Sequence, residues 1–513
     1  MSMTFGEIIK HSGDCELLNY IPEKHDEMII KNIGNDTRTV NEDSLFVASR
    51  GNNFDSHIHL EKVIESGAKA LIVERRPDLF KISVPVILVR SSYEATKKLA
   101  AQFFSNPSHR LCMLGITGTN GKTTTSYFAR SVFAQKYGDC GLIGTIKYII
   151  GNESIDAPNT SPEPLFFQKQ LGSMVENGLK CAVMEVSSHA IKLGRIENTE
   201  YDHLIFTNLS KEHTEFHPDM HDYFKTKASL FLSMLTAQKN YKTTPKYAII
   251  NIDDHYGEAL AAELKKLPGS NIFTYSLNAN SGANLTAIPA NIRFNGVDFY
   301  LNYKKLRIPI ELNMSGVFNV YNALAAAAAG ICENMTFDEI KAGLEYVTGV
   351  PGRFERIEFP GFSNKYSVYV DFAHTPESFI NVLKLARGLN PGRIITVFGC
   401  GGDRSQEKRP IMGYNAAQAS DYVIVTSDNP RTEDPMNIIN DILPGVMKAG
   451  GSNYAVETDR ELAIERAIKM ASDKDIVLIL GKGHENYQIV GNIKKRFDDC
   501  QTALKYIKQR ENY

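Results

Sequence analysis

The stretch Leu111-Cys-Met-Leu-Gly-Ile-Thr-Gly-Thr-Asn-Gly-Lys-Thr-Thr-Thr125 constrains the chain more than any other. Leu111 to Ile116 is a short apolar run that reads as a buried strand, and from Lys122 onward Phe128, Ala129, Val132 and Phe133 fall on one face of a helix. Between them Gly115, Gly118 and Gly121 punctuate a loop. A strand, a glycine loop and a helix start together make an anion site. Glycines let backbone N–H groups turn inward, the helix N-terminus adds partial positive charge, and Lys122 adds a full one. Thr123 or Thr124 offers a hydroxyl to Mg²⁺ beside the phosphates. Ile116 stands where the strict G-x-x-x-x-G-K-[ST] pattern wants glycine, yet the strand and helix that the motif requires are both present. The expected ligand is a nucleoside triphosphate.

With 513 residues the chain has room for about three domains. Net charge is −2 with no long single-sign run, so neither a nucleic-acid nor a membrane surface is expected, and phosphate must be bound by local sites. Seven cysteines, an odd number scattered through a large chain, point to reduced thiols. Cys112 and Cys400 read as small core residues. The N-terminal residues lack a basic start followed by an apolar core, and no run is long enough to span a bilayer, so a cytoplasmic protein is expected.

Breaker clusters at Ser105-Asn-Pro-Ser-His109 and Gly349-Val-Pro-Gly352 divide the chain into 1–108, 109–347 and 348–513. The expected fold is α/β throughout: a small first domain, a central phosphate-loop domain on a mostly parallel sheet, and a third domain of nucleotide-fold type. Residues 270 to 312 lose the helical period and read as an antiparallel insertion, and Ala323 to Gly330 as an alanine-rich packing helix. In the third part Ser367 to Phe372, Arg393 to Gly399, Asp421 to Thr426 and Asp475 to Leu480 read as strands alternating with helices. Gly399-Cys-Gly-Gly402 does not fit a dinucleotide fingerprint.

Polar clusters follow successive strands of the central part. Glu185-Val-Ser-Ser-His189 places a carboxylate at a strand end beside the phosphate loop, a usual position for a Mg²⁺ ligand. Thr207-Asn-Leu-Ser210 runs on to His213, Glu215 and His217.

These clusters, with Gly118-Thr-Asn-Gly-Lys-Thr123, Asn319-Val-Tyr-Asn322, Pro351-Gly-Arg-Phe354 and Asp371-Phe-Ala-His374, resemble the Mur ligase family of ATP-dependent amide-forming enzymes of peptidoglycan assembly. Asn35-Asp-Thr-Arg38, Asn159-Thr-Ser-Pro162 and Gly481-Lys-Gly-His-Glu485-Asn-Tyr-Gln488 resemble the branch that adds the third residue of the stem peptide to UDP-N-acetylmuramoyl-L-alanyl-D-glutamate. The resemblance implies an acyl phosphate on the D-glutamyl carboxylate, attacked by the incoming amine. It implies that Gly118, Thr119, Asn120, Gly121, Lys122, Thr123 and Thr124 hold the ATP phosphates, and that Asn319, Asn322, Arg353, Asp371 and His374 complete the ATP site. Asp371 is also placed to cap the helix that opens at Thr375-Pro376. Thr123, Glu185, His213 and a carbamylated lysine are the implied Mg²⁺ ligands, the lysine being Lys225 or Lys227, with the spacing from Tyr223 favouring Lys227. Lys122, Glu185, His213 and Lys227 are thus the implied catalytic set. Thr37, Asn159, Thr160, Ser161, Ser187 and Arg195 are the implied sugar-nucleotide contacts, with Leu193 where some members carry glutamine and Thr37 where serine is common.

For the incoming amino acid, the resemblance points to Arg404, Gly481, Glu485 and the loop Asp428, Asn429, Pro430, Arg431. The plain reading of that loop is a turn into a helix capped by Asp434 with Pro435 first, which leaves Arg431 unexplained. A guanidinium fork suits a carboxylate, and Asp428-Asn-Pro-Arg431 resembles the motif of family members that add meso-diaminopimelate, whose distal amine has a carboxylate beside it, so the resemblance implies that amino acid rather than lysine. Small-molecule substrates and a monomer are expected. The alternatives are a lysine-adding ligase of the same family, a folylpolyglutamate-synthase-like ligase, and a catalytically idle nucleotide-binding or assembly protein.

Overall fold

The computed structural model describes residues 2–51, 54–212, 216–237, 240–359, 362 and 365–511. Each third of the chain builds its own sheet. The first is five-stranded, in the order Cys15–Leu18, Val86–Val89, Ala68–Val73, Ser44–Val47, Asn32–Gly34, parallel except for the first pair. Its last helix, Ser92–Phe103, is capped by Ser91 and buries Ala95, Leu99, Ala100 and Phe103. The chain then turns sharply through Ser105 and Asn106, both with positive φ, into the central part.

The central sheet has eleven strands among the described residues. Cys112–Thr117 lies in the middle, flanked by Cys181–Glu185 and His203–Phe206, all parallel. Continuous apolar runs mark these strands because helices cover both faces. On one face Phe128, Ala129, Val132 and Phe133 of helix Lys122–Tyr137 are buried as their spacing predicts, each large side chain contributing about 1.5–3 kcal/mol. Ala323 to Ala329, within helix Val317–Cys332, have no exposed surface and pack on the same face. Gly343 lets helix Phe337–Tyr346 approach so closely that a Cβ there would lie 2.5 Å from the Val132 Cα.

The expected antiparallel insertion needs correction. Asn271–Ser276 is a parallel strand, paired with Tyr247–Asn251, and Leu285–Arg293 also joins it in parallel. Only from there do Gly296–Tyr303 and Leu306–Leu312 continue as an antiparallel meander. The segment therefore extends the central sheet. Its alternation of buried and exposed residues reflects a sheet edge covered on one face.

The last third forms a six-stranded sheet in the order Glu355–Arg356, Ser367–Asp371, Ile476–Leu480, Ile394–Phe398, Tyr422–Val425, Tyr454–Val456, parallel apart from the first pair. Helices Pro376–Gly388, Lys408–Ala419, Pro435–Lys448 and Arg460–Met470 link its strands, and helix Asp499–Arg510 ends the chain. The sequence pattern missed Lys408–Ala419 and the exposed hairpin Tyr487–Arg496. No helix among the described residues is long and apolar enough to cross a membrane, and all seven cysteines are free. Cys400 is buried as expected, whereas Cys112 is only half-buried and its thiol faces Glu333.

Candidate active site

The glycine loop lies beyond the carboxyl end of strand Cys112–Thr117. Ile116 is inside that strand, opposite Glu185 and Ile205, with no exposed surface. The loop is clasped by the next strand end: Thr119 N donates to the Asn208 carbonyl (2.9 Å), Asn120 N to Asn208 Oδ1 (2.8 Å), and Thr207 Oγ1 to the Asn120 carbonyl (2.7 Å). At Gly118, with φ +147°, a Cβ would collide with Thr207 Oγ1; at Gly121, φ +85°, it would meet Asn322 Oδ1. Glycine is required at both positions. Asn322 in turn accepts from Thr125 Oγ1 (3.2 Å) and donates to Asn319 Oδ1 (3.0 Å), so the two asparagines brace the loop from the alanine-rich helix.

Lys122 folds over the loop, its Nζ 2.9 Å from the Gly118 carbonyl and 2.8 Å from that of Thr119. Thr123 Oγ1 donates to Glu185 Oε2 (2.9 Å), and Thr124 is buried in the same helical turn. Glu185 has no exposed surface and also accepts from the Thr145 amide (2.8 Å) and hydroxyl (2.9 Å). Thr145 carries no motif. The neighbouring strand Gly141–Ile143 brings it here, and nothing in the sequence marked it.

The two candidate lysines are sharply distinguished. Lys225 is exposed and pairs with Glu263. Lys227 is buried, with its Nζ 3.2 Å from Thr117 Oγ1 and 3.1 Å from the Gly118 carbonyl, over the Tyr223 ring. Burial, reinforced by the Lys122 charge, pushes the Lys227 amine well below the ordinary lysine range. Lys122 is also lowered by burial, against the attraction of Glu212 and Glu185. His213 lies outside the described residues.

A second group adjoins Glu185. Ser161 Oγ donates to the Glu185 carbonyl (3.0 Å) and to Ser187 Oγ (3.3 Å), and Thr160 Oγ1 faces Thr145 Oγ1 (3.1 Å). Arg195 NH1 donates to the Ser161 carbonyl (3.3 Å), while its NH2 pairs with Glu163 (2.7 Å) and its Nε is buried with no protein partner. The Asn159 carbonyl accepts from the Tyr148 hydroxyl. Ser187 caps helix Ser188–Lys192. Thr37 sits half-buried in a turn of the first sheet, beside the Asp36–Arg38 ion pair. The first part meets the central one through Tyr93 OH, which donates to the Leu193 carbonyl (3.0 Å), and through Lys97–Glu197 (3.2 Å).

The third part faces the loop across a cleft. Arg353 NH2 donates to Thr123 Oγ1 (3.1 Å), with its guanidinium over the Phe372 ring. Asn120 Nδ2 donates to Glu377 (3.1 Å), and His374 Nε2 lies 3.4 Å from Glu212. Asp371 does not cap the following helix: Thr375 does, in a capping box with Ser378. Asp371 accepts instead from the Phe354 and Ala373 amides (2.6 Å each), which orders the loop carrying Arg353, and burial raises its carboxyl above the ordinary range.

A cavity of about 550 Å³ opens between the two parts, walled by His189 and Ser210 on one side and by Arg404, Asp428, Arg431 and Glu485 on the other. Asp434 caps its helix as expected and Pro435 is first. Arg431 is held with φ +53°, uncommon outside glycine, by strand Tyr487–Val490: its N donates to the Ile489 carbonyl (3.1 Å) and its carbonyl accepts from Gly491 N (2.7 Å). Its NH1 donates to the Gly402 carbonyl (2.6 Å) and Arg404 NH1 to that of Asp403 (3.1 Å). Gly402 packs so tightly on the Pro430 carbonyl that no side chain fits between them, and Gly481, φ +115°, closes on Asp428. Asn429 is buried and serves the loop itself, its Nδ2 donating to Glu485 (2.8 Å).

A phosphate loop, a buried carboxylate at the next strand end and a second sheet closing over both define a nucleotide-dependent ligase of several domains. Residues 116–330 match the family described as Mur ligase middle domain and residues 352–483 that described as Mur ligase, glutamate ligase domain. The chain belongs to the Mur ligase family. It is 40% identical to a UDP-N-acetylmuramoyl-L-alanyl-D-glutamate--2,6-diaminopimelate ligase of Bacillus cereus over 96% of each chain. A solved structure of an enzyme of that name is similar over 99% of both chains, with 28% identity and a TM-score of 0.65. A MurF structure from Acinetobacter baumannii shares the fold, with a TM-score of 0.71 at 17% identity over 100% of this chain and 99% of that one.

Proposed function

We propose that the chain is an ATP-dependent ligase that joins meso-2,6-diaminopimelate to the D-glutamyl carboxylate of UDP-N-acetylmuramoyl-L-alanyl-D-glutamate. The observation that carries this reading is a cavity lined on one side by His189 and Ser210, beside the phosphate loop, and on the other by Arg431 and Glu485. In it, a phosphorylated carboxylate and an attacking amine can meet.

The residues divide the work. Backbone amides at Gly118 and at the helix start from Gly121 to Thr124, with the Lys122 ammonium, neutralise the triphosphate, and Arg353 adds charge from across the cleft, while the Thr119 and Asn120 amides hold the loop's shape against Asn208. Asn319 and Asn322 keep the loop in shape. Thr123 and Glu185 present hard oxygen donors at one point, a set suited to Mg²⁺. Lys227, whose amine burial lowers well below the ordinary lysine range, is suited to carbamylation, which would give it a carboxylate-like oxygen beside Gly118. His213 is assigned with them by the family resemblance alone. When bound, Mg²⁺ supplies charge neutralisation at the transferring phosphoryl group.

The γ-phosphoryl passes to the substrate carboxylate, the amine attacks the acyl phosphate, and inorganic phosphate leaves. Most of the catalysis is positioning and charge complementarity. Ser161, Ser187, Thr160, Asn159 and Arg195 hold the dipeptide end of the sugar nucleotide, with Thr37 on the first domain reaching its uridine end. Arg431 reads the distal carboxylate of the amino acid and Glu485 its distal ammonium, with Arg404 and Gly481 at the rim. Division at 108 and 347 gives one domain to each substrate, and the work is that of a cytoplasmic monomer. The first 108 residues build a separate sheet, which a folylpolyglutamate-type reaction would not need. The test is amide formation by purified protein with ATP, the UDP-muramoyl dipeptide, and either diaminopimelate or lysine. Phosphate release only with dipeptide and diaminopimelate together is expected. No amide product with either amino acid would overturn the reading.

A further inference from the structure

Behind Glu485 lies a lysine with no exposed surface. The Lys482 Nζ is 3.0 Å from Glu485 Oε2 and 3.2 Å from Asn429 Oδ1. Asn429 Nδ2 donates to that same Glu485 oxygen, and Asn429 Oδ1 also accepts from Ile489 N (2.9 Å), which fixes the amide's orientation. One carboxylate oxygen of Glu485 is therefore committed to two donors of the chain itself.

Burying an ammonium costs several kcal/mol and is tolerated where its partners are well placed. A neutral side chain could hold Asn429 at lower cost, so the charge calls for a reason. Its effect falls on whatever meets Glu485 from the cavity. A lone ammonium there would be the second cation on one carboxylate. A ligand that also brings an anion to Arg431 restores the balance.

We propose that Lys482 is a positioning residue that tunes this pocket toward amino acids whose far end carries both an ammonium and a carboxylate. It acts through Glu485, holding Oε2 and partly neutralising the group, so that an amino acid with only an ammonium gains less. The inference rests on the diaminopimelate reading above.

The experiment compares wild type, Lys482→Met and Lys482→Arg in steady state with diaminopimelate and with lysine at fixed ATP and dipeptide. Wild type is run first. If it makes no amide with diaminopimelate, the functional reading falls. If it does, Lys482→Met is expected to raise KM for diaminopimelate about tenfold, the worth of one charged hydrogen bond. KM for ATP should stay within about twofold, and the diaminopimelate-to-lysine ratio of kcat/KM should fall about fivefold or more, a loss of specificity of the kind a removed repulsive element gives. Lys482→Arg should recover most of that ratio. A parallel loss for both amino acids, with the ratio unchanged, would overturn the proposal and leave Lys482 a purely structural residue. Should Lys482→Met fail to fold by circular dichroism, Lys482→Gln carries the same comparison, since it keeps hydrogen bonding without the charge.

Discussion

The two ends of the central sheet handle buried charge in opposite ways. At the amino ends of the strands, Glu333 accepts from Lys136 Nζ (2.8 Å) and Tyr137 OH (2.5 Å) on one oxygen, and faces His203 Nε2 (2.8 Å) and the Cys112 thiol (3.5 Å) on the other. Against the cost of burial, these partners hold its carboxyl far below the ordinary range. At the carboxyl ends, Lys122 and Lys227 face backbone carbonyls and a threonine hydroxyl, and Glu185 is held by hydroxyls and an amide. The first end is a closed network that stabilises. At the second, two lysine amines are held by carbonyls and a hydroxyl beside a cleft, which is the arrangement a triphosphate completes.

Replacing Lys122 by Met should sharpen that contrast most: ligation falls about 10²–10³-fold, while the melting temperature holds or rises because a desolvated amine is gone. Lys227→Met should behave alike, with about 10²-fold loss of turnover and no loss of thermal stability. A drop in melting temperature in either variant would break the comparison. At the other end, Glu333→Gln should cost about 3 kcal/mol of folding stability in denaturant titration, yet leave kcat/KM within about twofold. Because the folded-state pKa of Glu333 is depressed, that stability is fully present at neutral pH. It is lost as pH falls below the ordinary carboxylate value toward the folded one, so wild type and variant should converge in acid. Arg353→Met should raise KM for ATP about tenfold and leave that for the amino acid unchanged. Smallest of all, breaking the exposed Lys211–Glu407 pair across the cleft (3.5 Å) should leave melting temperature and turnover unmoved.

Much of this was legible in the sequence because it is local. Glycine spacing set the phosphate loop, apolar runs marked Cys112–Thr117 and Cys181–Glu185, and the Asp434–Pro435 start was read directly. What was missed depends on neighbours distant in the chain. Thr145 reaches Glu185 only because strand Gly141–Ile143 lies next to Cys181–Glu185. The hairpin Tyr487–Arg496 is largely exposed on both faces, so it carries no hydrophobic alternation, yet it sets the Arg431 backbone. Asp371 looked like a cap by its distance from Pro376, but Thr375, directly before the helix, takes that role. Lys482 sat in a recognised motif without any sign of its burial.

The strand order of the last sheet has a consequence for how the protein is made. Ile476–Leu480 lies between Ser367–Asp371 and Ile394–Phe398, the two strands made well before it, and bonds to both. Until it emerges from the ribosome, the earlier strands have no common partner and the apolar faces they share stay open. The last sheet must therefore wait for its own centre before it can close. A chain cut after Met470 should therefore be a folding intermediate with exposed sheet edges, dependent on chaperones, rather than a slightly shortened ligase.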